Sequence, residues 1–345
     1  MNEPEFIKNK LNEPEFIKNK LYLGIDVGSV STKCAIINEA NELLYATWTR
    51  NHGSPIVSTQ ENLKYMEEVL PDNIEKSICG VGTTGSARYL IKALIGADIA
   101  KPEIIAHAIG ALTYTPDVRT ILEIGGQDSK VILMKNGIVT DFNMNSVCAA
   151  GTGSFLDHQA IRIQVPIEEF GAYALRAQDE VSIAGRCTVF AESDMISKQQ
   201  EGYSKESIIK GLCKALVRNY LNNVCKGKKM YPPFVFQGGV AANSGIKNAF
   251  EEELGCEVII HENYYVMGAI GSAILAKEHV NGQISSFHGL KVSELNLAPG
   301  SFVCPDCANR CTVKYLVREE DKSKITGREK NDAIFARWNS RCGKW

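Results

Sequence analysis

The chain has 345 residues, 44% of them hydrophobic and 23% charged, with a formal net charge of -2. That length allows about two domains able to bury most of their apolar surface, and so mild a charge supplies no basic field for nucleic acid or an anionic membrane. No apolar run approaches the ~20 residues that span a bilayer and the N-terminus lacks a signal-peptide core, so a cytoplasmic location is expected. In that reducing setting the 11 cysteines do not read as a disulfide framework, and several are expected to bind metal or carry redox chemistry.

The chain opens on one decapeptide written twice, Asn2 to Leu11 and Asn12 to Leu21, both NEPEFIKNKL. It is expected to form a tail or short helix without chemistry of its own. A second repeat is more informative. Asp26-Val-Gly28-Ser29-Val-Ser31-Thr32-Lys33 and Glu123-Ile-Gly125-Gly126-Gln127-Asp128-Ser-Lys130 match without a gap at an offset of 97 residues. Each follows an apolar stretch and leads into another, which predicts strand, tight glycine turn, strand. Two such hairpins predict two similar lobes.

Between and after the hairpins, strand-like segments (Ser77 to Val81, Phe234 to Phe236) alternate with helix-like ones (Ser86 to Ile95, Ile208 to Val224), an α/β pattern. Past about residue 285 the texture changes to Ser, Gly, Pro and clustered Cys, predicting a small appended module.

Backbone N–H groups without a Cβ in the way can approach a phosphate closely, so paired glycine hairpins suit a nucleoside triphosphate. Gly28, Gly125 and Gly126 would supply the backbone, with donors at Ser29, Ser31, Thr32 and Lys33. The carboxylates of Asp26, Glu123 and Asp128 could hold Mg²⁺ through water. A third element, Gln237-Gly238-Gly239-Val-Ala-Ala-Asn243, follows a strand and opens a helix, where a nucleoside could lie against glycine backbone. Gly80-Val-Gly82-Thr-Thr-Gly85 also satisfies G-x-G-x-x-G. It lacks an acid at the ~20-residue spacing of a dinucleotide fold and is read as a tight turn near the nucleotide. No G-x-x-x-x-G-K-[ST] is present, which excludes the P-loop class.

Cys148 and Cys187 each precede a helix-like stretch, and a thiol at a helix N-terminus is favoured as thiolate. Two ligands do not complete a four-thiolate site, but a two-fold dimer would gather four around one [4Fe–4S] cluster. Cys304-Pro-Asp-Cys307-Ala-Asn-Arg-Cys311, with Cys342 as a possible fourth ligand, fits a separate tetrahedral site for Zn²⁺ or a second iron–sulfur cluster. Cys34, Cys79, Cys213, Cys225 and Cys256 are read as packing residues.

These residues resemble a known family: the ATP-dependent activators of 2-hydroxyacyl-CoA dehydratases, with the related ATPase subunits of benzoyl-CoA reductase. The resemblance covers about Tyr22 to Lys277 and rests on GIDVGS at Gly24, IGGQD at Ile124, CAAGTG at Cys148, CTVFAES at Cys187, GGVAAN at Gly238 and GAIGSA at Gly268. It implies the actin-like α/β fold shared with sugar kinases and heat-shock chaperones. The expected division is a tail (1–21), lobe I (22–117), lobe II (118–284, its last helix packing back on lobe I) around a nucleotide cleft, and the Cys-rich module (285–345). It further implies a homodimer with ATP or ADP in each subunit and one bridging [4Fe–4S] cluster on Cys148 and Cys187. A ferredoxin or flavodoxin would load an electron, and ATP hydrolysis would drive it to a dehydratase- or reductase-type iron–sulfur partner, or to a double-cubane cluster protein. Asp26, Gln127 and Asp128 would organise Mg²⁺ and the attacking water, with Glu123 standing where relatives more often have Asp. The alternative on the same fold is a small-molecule kinase with Asp128 as base.

Overall fold

The computed structural model describes residues 5–9, 20–145, 151–185, 187–329, 333–342 and 344–345. The chain divides into two units, Met1–Ala106 with Gly268–Trp345, and His107–Met267.

In the first unit β2 (Leu21–Val27), β3 (Ser31–Ile37) and β4 (Leu43–Arg50) form an antiparallel meander. Strands β5 (Ile78–Thr84) and β6 (Ile99–Ala100) then add in parallel on the other side of β2. β2 is buried at every residue, the signature of a strand covered on both faces. Helix α1 (Pro55–Val69) starts where Ser54 accepts from the Val57 N–H and Pro55 takes the first turn; α2 (Arg88–Ile95) stops at left-handed Gly96. Two of the glycines in these strands serve packing. A Cβ at Gly24 would stand 1.9 Å from the Ala269 carbonyl oxygen and one at Gly82 2.3 Å from that of Ser272. Helix α9 (Met267–Val280) therefore lies with its backbone directly on β2 and β5. Gly80 and Gly82 are thus strand residues, and the turn expected over Gly80 to Gly85 falls at Gly85 alone (φ +88°).

The N-terminal decapeptide departs from expectation. Glu5–Asn9 is a strand, β1, antiparallel to β4. The open edge of β4 offers unpaired N–H and C=O groups to any extended segment within reach. Local sequence cannot announce an edge that lies some forty residues downstream.

The appended segment forms a third sheet, β12 (Leu297–Val303), β13 (Thr312–Arg318) and β14 (Ile334–Trp338), antiparallel in that order. Leu297 and Leu316 join the core of the first unit, while Phe302, Val313, Tyr315, Val317 and Ile334 build a small core of their own.

The second unit repeats the plan. β7 (Thr120–Ile124), β8 (Ser129–Lys135) and β9 (Ile138–Asn145) form the meander, and β10 (Phe234–Gln237) and β11 (Val258–Ile259) add in parallel beside β7. The strand orders β4-β3-β2-β5-β6 and β9-β8-β7-β10-β11 coincide. The unit is completed by α3 (Glu103–Tyr114), which enters it from the first, and by α4 (Gly153–Ile163), α5 (Ile167–Arg176), α6 (Thr188–Gln200), α7 (Lys205–Asn223) and α8 (Ser244–Leu254). Its core centres on Tyr220, Phe236 and Phe250, with Phe250 edge-on to both others at centroid distances of 5.4 and 5.1 Å. The Tyr220 hydroxyl donates to the Lys130 carbonyl at 2.5 Å and ties α7 to β8.

Candidate functional site

The two glycine hairpins have the same turn. Gly28 N–H donates to the Ser31 carbonyl at 3.0 Å, and Gly125 N–H to the Asp128 carbonyl at 2.9 Å. In both, the acid one residue before the end of the first strand faces a lysine on the second: Asp26 pairs in register with Lys33, and Glu123 with Lys130.

In the first hairpin Lys33 Nζ lies 3.4 Å from Asp26 Oδ2. Ser29 is exposed, Gly28 and Ser31 half-buried, so the turn presents its backbone outward. Thr32 is fully buried, its hydroxyl 2.6 Å from Asn51 Oδ1 and 2.8 Å from Ser58 Oγ. Asn51 also donates through Nδ2 to the Gly28 carbonyl at 2.6 Å, and its N–H bonds the Val30 carbonyl. Thr32 thus braces the hairpin from inside. Asn51 and Ser58 carry no motif, and sequence reasoning missed them. Asp26 is buried, and a Cβ on Gly85 would stand 2.8 Å from its Oδ1, which restricts that turn to glycine.

The second hairpin carries one acid more. Lys130 Nζ lies 2.8 Å from Glu123 Oε2 and 3.0 Å from Asp128 Oδ2, so one buried ammonium bridges two carboxylates. Burial, then the neighbouring Glu123 charge, push the Asp128 carboxyl up from its ordinary value, while Lys130 pulls it down. Gln127 is exposed, and Gly125 and Gly126 are half-buried. A Cβ on Gly125 would come within 2.8 Å of Asp128 Oδ1.

The Gly238 turn belongs to this same site. Gln237 lies beside Glu123 in the parallel register and pairs through Nε2 with His107 Nδ1 at 2.9 Å. Gly238 is left-handed (φ +91°), and a Cβ there would stand 2.7 Å from Glu123 Oε1. Gly239 is exposed. Asn243 caps α8 by accepting from the Ile246 N–H at 3.1 Å, and its Nδ2 is a buried donor without a hydrogen-bond partner among the described residues. A glycine-only cradle beside two carboxylates, with an orphaned buried amide nearby, fits a nucleotide and its divalent ion. The role of Lys130 escapes sequence reasoning; its match to Lys33 across the repeat is the signal that could have found it.

Cys148 lies outside the described residues. Helix α4, which opens five residues later, is bonded straight to the second hairpin. Gly153 N–H donates to the Gly125 carbonyl at 2.9 Å and Ser154 N–H to that of Gly126 at 2.8 Å, with Ser154 Oγ adding a third bond at 2.6 Å. Cys187 is the N-cap of α6, half-buried, and makes no side-chain capping bond. The segment before it is held by Asp194 Oδ2, which accepts from Ala184 N–H at 2.8 Å, and by Asn219 Nδ2, which donates to the Gly185 carbonyl at 2.5 Å. Val189 and Phe190, just past the cysteine, are exposed. Cys34, Cys213 and Cys225 are buried, their thiols pushed up by desolvation, as packing cysteines should be.

Among the described residues, no three His, Cys, Asp or Glu side chains are drawn together around one metal position, and Cys304, Cys307, Cys311 and Cys342 are included in that statement. No helix of the described residues is long and apolar enough to cross a membrane.

Residues 23–276 match the BadF/BadG/BcrA/BcrD ATPase family. The (R)-2-hydroxyglutaryl-CoA dehydratase activating ATPase of Acidaminococcus fermentans is 34% identical over 260 residues, 74% of this chain and 96% of its own length. The activator of lactoyl-CoA dehydratase of Anaerotignum propionicum is 35% identical over 258 residues, 74% of this chain and 97% of its own. Among solved structures, the activator of the 2-hydroxyisocaproyl-CoA dehydratase from Clostridium difficile with bound ADPNP superposes with a TM-score of 0.70 at 33% identity, covering 76% of this chain and 97% of that one. The fold is the actin-like α/β ATPase fold.

Proposed function

Because the chain belongs to the BadF/BadG/BcrA/BcrD ATPase family, we propose that it is an ATP-hydrolysing activator that passes a low-potential electron to an iron–sulfur partner of the 2-hydroxyacyl-CoA dehydratase or aryl-CoA reductase class. A dehydratase- or reductase-type partner is what the relatives support: they include activators of 2-hydroxyacyl-CoA dehydratases and, in Thauera aromatica, a benzoyl-CoA reductase subunit. Nucleotide binding is further supported by the relative that holds ADPNP.

One observation carries the coupling. The turn Gly125 to Asp128 is hydrogen-bonded to the first turn of α4, the helix that follows Cys148. A phosphate and Mg²⁺ that pull on Gly126, Gln127 or Asp128 therefore pull on α4 through three short bonds. In this reading the backbone of Gly28, Gly125 and Gly126 meets phosphate, helped by Ser29, Ser31 and Lys33. Asp26, Glu123 and Asp128 hold Mg²⁺ through water, and Gln127 with Asp128 orients the attacking water. Gly238, Gly239 and Asn243 receive the nucleoside.

A [4Fe–4S] cluster, when bound, supplies a one-electron carrier of low potential. Its ligands would be Cys148 and Cys187 from each of two copies. Cys187 fits: its thiol is unspent on capping and stands at a helix N-terminus, whose dipole favours an anionic cluster. Exposed Val189 and Phe190 beside it suit burial by a second copy of the chain. The electron donor would be a ferredoxin or flavodoxin.

The test is anaerobic purification with counting of iron. About four irons per dimer are expected, lost in Cys187→Ser while ATP still binds. ATP should also change the rate at which a chelator removes the iron, and Ser154→Ala should blunt that change. A colourless, iron-free dimer would overturn the electron-transfer reading.

A further inference from the structure

The C-terminal cysteines lie outside everything used so far, and the third sheet gathers them at one end. The β12–β13 ladder runs in register to Val303 opposite Thr312 and closes with Cys304 N–H donating to the Cys311 carbonyl at 2.9 Å. Cys304 and Cys311 are therefore cross-strand neighbours, with Cβ atoms about 4.5–5.5 Å apart. Both pack on the same small core beside Phe302, so both thiols lie on one face. Cys307 sits in the connecting loop, where its carbonyl accepts from Arg310 N–H in a turn made possible by left-handed Arg310 (φ +41°).

The chain end returns to the same hairpin on both sides of the fourth cysteine, Cys342. Asn339 Nδ2 bonds the Thr312 carbonyl at 2.8 Å, next to Cys311. Lys344 pairs with Asp306, between Cys304 and Cys307, and Trp345 Nε1 lies 3.4 Å from Cys304 Sγ. Cys342 is thus bracketed by two anchors on either side of the hairpin mouth, and it is exposed, as Cys307 is.

We propose that Cys304, Cys307, Cys311 and Cys342 form a structural Zn²⁺ site that staples the end of the chain to the β12–β13 hairpin. The four thiols are not drawn into a single shell in this structure, and side-chain rotations at the hairpin mouth are required to close it. A single ion with bonds of ~2.3 Å to each sulfur spans two cross-strand thiols, and C-x₂-C spacing on a tight hairpin is a common half of such sites. A bound ion would add a cross-link between hairpin and tail to the seven buried residues of this sheet's own small core. Binding releases the thiol protons to solvent and changes no oxidation state.

The full chain, purified under reducing conditions, should carry one zinc per chain. Co²⁺ exchanged for it should give the thiolate charge-transfer band and intense d–d bands of a tetrahedral four-sulfur site. Cys342→Ser should shift those bands and weaken zinc retention by at least about tenfold. Cys187→Ser should leave zinc unchanged while removing the iron predicted above, so the two readings fail separately. Absence of zinc and of any cobalt–thiolate band, iron in place of zinc at this module, or an unshifted spectrum in Cys342→Ser would each overturn the four-thiolate site.

Discussion

The two glycine hairpins share a turn, a strand order and a facing acid–lysine pair, yet they differ in charge and in what supports them. The first balances one carboxylate with one lysine and is braced from within by Thr32, Asn51 and Ser58. The second sets two carboxylates against one buried lysine, leaving one negative charge over, and is tied to helix α4. An anion prefers the balanced turn and a divalent cation the acidic one. Duplication gave both units the same scaffold, and one residue, Asp128 where the first repeat has Ser31, separated their chemistry.

The difference is tested most severely at the lysines. Lys130→Met strands buried Glu123 and half-buried Asp128 together and should cost about 3–5 kcal/mol in urea unfolding. Lys33→Met, which takes one longer-range and partly exposed partner from buried Asp26, should cost less, about 1–3 kcal/mol. Equal losses would erase the distinction between the hairpins. The next contrast lies at matched positions 97 residues apart, Thr32 and Ser129. Thr32→Val breaks a buried hydroxyl network and should cost about 1–3 kcal/mol. Ser129 Oγ is buried without a partner among the described residues, so Ser129→Ala should change stability by less than about 0.5 kcal/mol or improve it.

The smallest effect is a shift in pH dependence. If ATP turnover needs ionised Asp128, its acid limb tracks a carboxyl held above the ordinary value by burial and by Glu123. Glu123→Gln removes a like charge, lowers that value and should move the limb to lower pH. Lys130→Gln removes the stabilising cation and should move it to higher pH. Shifts of the same sign in both variants would contradict the bridge read from the coordinates.

Much of the site was legible because its parts are local. A turn that must bring backbone N–H groups forward needs glycine at fixed places, and Gly28, Gly125 and Gly238 declare themselves in sequence. That a helix opens at Asn243 was readable for the same reason. Asn51 and Ser58 were not, since they meet Thr32 only when α1 folds back over β3. The spacing of Gly82 suggests a tight turn, but its reason is the backbone of α9, nearly two hundred residues away. The strand at Glu5–Asn9 was hidden because an edge is a property of the sheet and leaves no trace in the segment that joins it.

The sequence by itself determined the duplicated α/β plan, the family, the two acid–lysine hairpins and the separation of the C-terminal cysteines from the rest. These follow from short-range rules: alternation, glycine turns, and spacing along one strand or helix. Only the tertiary structure decided that Lys130 serves two carboxylates, that Thr32 faces inward, that the second hairpin grips α4, and that Asn339 and Lys344 return to the mouth of the β12–β13 hairpin. Each depends on which buried groups find a partner across a long stretch of chain, and burial enforces such pairings only once the core has closed.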